Sequence, residues 1–162
     1  LLDYELDELR AIIKNNCERI RYFKSLPNKE VLKMMVEEIH VGLLPTHADT
    51  YGYSVLEFQS AGCPVITTNA RALHEINNTE CGWLIGIPKS RLGEPFSKTD
   101  SELVTIQKII EEQLVDIMIE ILESPSIIEK KGAKSIERIK ENHCEVKYSK
   151  KLSNIYNRSI NC

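Results

Sequence analysis

The sequence predicts an α/β fold: a parallel sheet joined by helical crossovers, with helices on both faces and a helical C-terminal tail. Three observations lead there. Short apolar runs alternate with helix-period segments through the first half of the 162 residues, the rhythm that sets strands parallel with helices between them. One run, Val41-Gly42-Leu43-Leu44-Pro45, is apolar throughout, as in strands covered on both faces. Beyond about residue 102 the strand signals stop, and apolar residues recur at three and four, the helical period.

Leu6, Leu9 and Ile13 open the chain with an amphipathic helix. Ile20-Arg21-Tyr22-Phe23, β-branched and aromatic, reads as a short strand. Pro27-Asn28 is a break, and Asn28 suits the N-cap of a helix that buries Val31, Leu32 and Met35. After the apolar strand over 41–45 come a polar loop over 46–53 and a short helix over 54–61, ended by Gly62-Cys63. Pro64-Val65-Ile66-Thr67 is the next strand, 70–76 a helix, Asn77-Asn78 a turn and Trp83-Leu84-Ile85 the last strand. A polar connection over 88–101 contains Gly93-Glu94-Pro95. The long helix over 102–123 places Leu103, Ile106, Ile110, Leu114, Ile117 and Ile121 on one face. Ser124 as N-cap and Pro125 at the first helical position start another helix, to about residue 142, carrying Ile128, Ile136 and Ile139. Tyr148, Leu152 and Ile155 share one side of the final segment.

The length fits one domain with a core of its own. With 21 basic against 24 acidic residues the formal charge is −3, so no global excess of positive charge exists to track phosphates, which argues against nucleic acid as the main partner. No apolar run is long enough to span a bilayer. The chain starts at Leu1 without a signal-peptide pattern, which suggests a piece of something longer. Cys17, Cys63, Cys81, Cys144 and Cys162 form no C-x-x-C pair, and read as free thiols in a reducing, cytoplasmic setting. Two glycosylation sequons, at Asn77 and Asn157, carry no weight without a secretory signal. The Lys130-Lys131 and Lys147–Lys151 clusters read as solvated helix faces.

The chemistry concentrates between Leu44 and Glu75. A buried strand ends at Pro45, a polar loop offers His47 and Asp49, and Gly52 allows close backbone approach before a helix bearing Glu57 in its first turn. Free N–H groups at a helix start suit phosphate oxygens. Acids flanking them suit sugar or ribose hydroxyls instead. The pattern points to a ligand with both phosphate and hydroxyl groups.

Asp49-Thr50-Tyr51-Gly52-Tyr53-Ser54-Val55-Leu56-Glu57, followed by Ala61-Gly62-Cys63-Pro64-Val65-Ile66, resembles the E-x7-E region of retaining family-4 (group 1) glycosyltransferases. Leu73-His74-Glu75-Ile76 is similar to that family's L-P-E-I, and Gly82-Trp83-Leu84-Ile85 to its G-x-L-V. The resemblance implies one half of a GT-B fold, a Rossmann-like domain holding a nucleotide-sugar donor. The acceptor domain would lie upstream, together with the sheet's first strand, and this piece alone would transfer no sugar. By position in the motif, Asp49 would face the donor sugar hydroxyls and Glu57 the ribose. The backbone of Tyr51, Gly52, Tyr53, Ser54 and Val55 would line the diphosphate. Retention in this family needs no obvious enzymic nucleophile; donor positioning and stabilisation of the leaving diphosphate carry it. No metal or other cofactor is expected beyond the donor itself. The implied role is polysaccharide or glycoconjugate synthesis in the cytoplasm, with peripheral attachment to the inner membrane face as one option.

The chain departs from the pattern in placing Asp49 where Glu is usual, and Thr50 and Ser54 where Gly and Pro are usual. Arg71-Ala72 stands where Gly-Gly often precedes L-P-E, and Arg71 could supply phosphate charge. His47, Thr68 and Glu75 are further candidates.

Each has a purely structural alternative. Ser54-Val55-Leu56-Glu57 fits a capping box, and Asp49 could be a turn acid bonded to its own backbone. His47 could bond a backbone group, and Glu75 could tie the following turn. Cys63 and Trp83 read as core. Two other functions stay open: a GT-B-type nucleotide-sugar epimerase, and a degenerate, non-catalytic donor-like domain used for assembly.

Overall fold

The computed structural model describes residues 3–16 and 18–160, and the side chains of these apart from 3–6, 9 and 160. The chain divides into two compact units, Leu1–Val31 and Leu32–Cys162.

The first unit holds helix α1 (Asp3–Asn15) and the start of α2 (Asn28–Glu37). Of the apolar face expected on α1, Leu6 and Leu9 lie outside the described side chains, and Ile13 is half-buried. Cys17 and Cys162 also fall outside the described residues. The strand expected over 20–23 does not form, and Tyr22 and Phe23 are exposed. A strand persists only where a neighbour takes up its backbone groups; β-forming side chains alone do not supply one. Helix α2 starts at Asn28 itself, because the Pro27 carbonyl accepts from the N–H groups of Glu30 and Val31. Pro27 therefore takes the capping position expected for Asn28.

In the second unit β1 (Gly42–Leu44), β2 (Val65–Thr68) and β3 (Gly82–Ile85) form a parallel sheet in the order β1-β2-β3. Gly42 lies opposite Val65, and Val65 opposite Gly82. Helix α3 (Tyr53–Ser60) connects the first two strands and α4 (Leu73–Ile76) the last two. Helices α5 (Asp100–Glu123), α6 (Ser126–Asn142) and α7 (Glu145–Ile160) complete the chain. The α/β class, the parallel Rossmann-like sheet and the helical C-terminal region are as the sequence predicts.

Central β2 is buried at all four positions. Strand β1, at the sheet's edge, is not covered on both faces as its composition suggests: among the described residues no packed element covers the face bearing Leu43, which is 52% exposed. The core joins Val55, Ile66, Leu73, Ile76 and Ile85 to Ile106 and Ile110 of α5. On α6 the fully covered positions are Gly132 and Ser135, while Ile128, Ile136 and Ile139 are half-buried. A Cβ on Gly132 would collide with the Gly62 carbonyl oxygen, and Ser135 Oγ donates to the Cys81 carbonyl at 2.7 Å. Gly132 thus lets α6 approach the end of α3 closely, and Ser135 ties it to the residue before β3.

The boundaries that moved have local causes. Helix α4 begins three residues later than expected because Arg71 adopts φ 44°, which no right-handed helix accommodates. Helix α5 begins two residues earlier, on a Thr99–Glu102 capping box. Helix α6 opens at Ser126 with Pro125 as N-cap and no side-chain cap, so Ser124 ends α5 instead. On α7, Tyr148, Leu152 and Ile155 are each about half exposed.

The outer edge of β3 is closed by side chains. The Gln113 amide accepts from Gly86 N–H at 2.9 Å and donates to Gly86 C=O at 3.0 Å. Lys131 Nζ donates to the carbonyls of Gly82 and Thr79 and lies 5.0 Å from the centre of the Trp83 ring. The indole N–H of Trp83 reaches Glu120 at 2.9 Å. Among the described residues no helix is long and apolar enough to cross a membrane.

Candidate functional site

Three loops leave the carboxyl ends of the strands, where open parallel sheets bind ligands, and they are stitched together by polar side chains. Thr68, at the end of β2, is fully buried, and its hydroxyl donates to Thr46 C=O at 2.6 Å. Asn69 N–H donates to Ile85 C=O at 2.9 Å, Asn69 Oδ1 accepts from Ile87 N–H at 3.1 Å, and Lys89 Nζ reaches Asn69 C=O at 2.6 Å.

Asp49 organises the first loop. Its Oδ1 accepts from Tyr51 N–H at 2.9 Å and from Gly52 N–H, an Asx turn. Gly52 follows in the left-handed region (φ 79°, ψ 45°) and serves as N-cap of α3. A Cβ there would sit 2.5 Å from Ile76 Cδ1 and 2.8 Å from Leu73 Cδ2. Glycine is therefore required by conformation and by space, and this contact seats the start of α3 on α4. Gly52 C=O accepts from Val55 and Leu56. Among the described residues the N–H groups of Tyr53 and Ser54 meet no acceptor. The Tyr51 and Tyr53 rings lie 5.2 Å apart at 45° beside them.

This start changes the place of Glu57. It is the fifth residue of α3, in the second turn and not the first. The capping box that Ser54 and Glu57 spell is absent, since Gly52 is the N-cap and no side chain caps the helix. Glu57 is half-buried, and its carboxylate makes no hydrogen bond or ion pair among the described residues.

Arg71 sits in the turn after β2. Its N–H donates to Gly93 C=O at 2.9 Å, and Nε and Nη2 both reach Glu94 Oε2, at 3.0 and 2.9 Å. A cavity of about 460 Å³ opens beside it, lined by Arg71, His74, Glu75, Lys89, Arg91 and Glu94 among others. The structure thus brings Arg71, His74 and Glu75 together. It gathers Asp49 and residues 51–55 separately, at the mouth of α3, and turns the Thr68 hydroxyl inward. His47 is half-buried in the first loop. No group of three or more His, Cys, Asp or Glu side chains able to hold a metal ion comes together among the described residues.

Sequence reasoning also missed a buried polar cluster at the amino ends of β2 and β3, opposite these loops. Gln59 Nε2 donates to Ile76 C=O at 3.0 Å, and Arg138 donates to the carbonyls of Ile76 and Glu75. Together they satisfy the exposed carbonyl end of the four-residue α4. Asn77 Nδ2 bonds Val65 C=O and Thr67 Oγ1 at 2.9 Å, and Trp83 C=O at 3.1 Å, tying β2 to β3. The signal was a polar residue, Gln59, where the helical period calls for core. Cys63 packs as expected: its thiol is buried and donates to Met35 and Ile39 carbonyls, and burial pushes its pKa up.

The family described as Glycosyl transferases group 1 matches this sequence over residues 3–92. The chain belongs to that family. The match runs over the whole sheet, the loops after β1 and β2 and the first part of the loop after β3, and it establishes glycosyl transfer as the chemistry in general terms. Comparison with curated proteins gave no match.

Proposed function

We propose that the chain is the nucleotide-sugar-binding part of a retaining glycosyltransferase of GT-B type, which moves a sugar from a nucleoside-diphosphate donor to a glycan or glycoconjugate. The observation that carries this reading is the start of α3, where, among the described residues, two N–H groups meet no acceptor and the carboxylate of half-buried Glu57 meets no donor. Those groups complement a diphosphate and a diol. Tyr53 and Ser54 N–H would meet phosphate oxygens and stabilise the departing diphosphate. Glu57 would accept from ribose hydroxyls, and Arg71 adds a cation at the same edge. The acceptor would come from a second domain, and the scheme calls for no metal. Synthesis of polysaccharide or glycoconjugate in the cytoplasm, or at its membrane face, fits this chemistry.

Calorimetric titration with UDP-, GDP- and ADP-sugars tests the proposal. One donor should bind best, and Glu57→Gln should weaken it about tenfold, the loss of one charge-assisted hydrogen bond. Binding of none of them would sink the reading. One observation favours the non-catalytic alternative: Asp49 Oδ1 is committed to Tyr51 and Gly52 N–H. Under the catalytic reading Asp49→Asn retains the turn and loses transfer in the presence of an acceptor domain. Equal transfer by this variant would return Asp49 to a structural role.

A further inference from the structure

Arg71 is the one non-glycine residue with positive φ among those described, at 44°. A side chain is strained there, and two contacts from a single loop hold it in place. Residues 88–96 fold into a strap: Phe96 N–H bonds Pro88 C=O at 3.1 Å, Lys89 bridges Pro95 in antiparallel fashion, and Ser90 N–H bonds Glu94 C=O at 2.8 Å. The inner limb of the strap gives Gly93 C=O to the Arg71 N–H and the Glu94 carboxylate to its guanidinium. Both Nε and Nη2 meet the same oxygen, Oε2, so a guanidinium with five N–H donors keeps others for a second anion. That remainder borders the 460 Å³ cavity, which Arg91 of the strap also lines. Arg91 is exposed and makes no ion pair among the described residues. The volume lies in the range of small-molecule sites. Lys89 also lines it but sends its ammonium to Asn69 C=O, and the exposed Glu75, also in its lining, is an acceptor for hydroxyls.

We propose that this cavity is a subsite for an anionic sugar, whose phosphate or carboxylate is taken by Arg71 and Arg91, with Glu94 as the positioning residue that aims the Arg71 guanidinium. The strain at Arg71 then has a use, since a glycine would fit the turn better and bind nothing. The identity of the ligand rests on the sugar-transfer reading; the cavity, the strap and the cation pair do not.

The test is a titration of the ¹⁵N-labelled chain, followed by amide shifts, with inorganic phosphate, glucose 1-phosphate and glucuronate, and with glucose as neutral control. The anionic sugars should shift Arg71, Arg91 and Gly93 saturably, and glucose should not. Whether glucose 1-phosphate or glucuronate binds tighter identifies the anion; phosphate binding as tightly as either sugar would overturn the sugar part. Arg71→Gly should weaken binding at least tenfold while its melting temperature holds or rises, and Glu94→Gln should weaken it several-fold. Unchanged affinity in Arg71→Gly, or no saturable shift, overturns the subsite. If Arg71→Gly also unfolds, Arg91→Gln decides, because it lies off the strained turn: weaker binding supports the subsite and equal binding overturns it. UDP shifting residues 53–57 while 71–93 stay silent to every anion would defeat this inference and spare the proposed function. Silence at both would defeat both.

Discussion

Ser54-Val55-Leu56-Glu57 and Thr99-Asp100-Ser101-Glu102 spell the same capping pattern, and only the second forms it. At Thr99 the backbone is extended (φ −118°, ψ 155°), the hydroxyl accepts from Glu102 N–H at 3.3 Å, and Glu102 Oε2 accepts from Lys98 and Thr99 N–H at 2.9 and 3.0 Å. At Ser54 the helix has already begun, because Asp49 collects the N–H groups of Tyr51 and Gly52 and Gly52 turns left-handed against Leu73 and Ile76. The acid that serves the helix in α5 is left over in α3. A short pattern says what a segment can do; the first residue with helical dihedrals decides whether it does.

The most damaging way to break this contrast is Gly52→Ala. A left-handed alanine crowding Ile76 and Leu73 should cost about 3 kcal/mol, read as a lower urea midpoint. A loss under about 0.5 kcal/mol would mean α3 can start elsewhere. This residue also marks the limit of what the sequence discloses. The three strands were legible because apolar runs announce themselves wherever they are placed. The start of α3 was not, since it depends on side chains about twenty residues downstream. Arg71 was legible as a cation by its charge, but its partner Glu94 lies 23 positions away in a loop without periodicity. The strand expected over 20–23 fails for the same reason in reverse: composition names a candidate, and only a neighbour makes it a strand.

Next in size is Thr99→Ala, which should destabilise by about 1 kcal/mol, while Ser54→Ala should stay within about 0.5 kcal/mol. Equal effects on the thermal midpoint would erase the distinction.

The cap at Thr99 should respond to pH. The backbone N–H of Thr99 holds the Glu102 carboxyl below its ordinary 4.5, with Lys98 N–H adding to it. A folded value below the unfolded one gives stability that is complete above the ordinary range and lost as pH falls through it toward the folded value. The melting temperature of Glu102→Gln should therefore fall less than that of the parent between pH 6 and pH 3. A parallel decline would show that the cap does not titrate. Smallest of all, Glu57→Gln should leave the melting temperature unchanged, as befits a carboxylate with no described partner; a drop of several degrees would assign it to the helix after all.

The closure of β3 bears on how this protein behaves when crowded with its own copies. A bare sheet edge invites a strand from another chain, and repeated invitation is how fibrils grow. Here Gln113 imitates a neighbouring peptide at Gly86 and an ammonium occupies the Gly82 carbonyl. A visiting strand would have to displace both to pair along the whole length of β3. Those two caps shorten the stretch of edge that another strand could join.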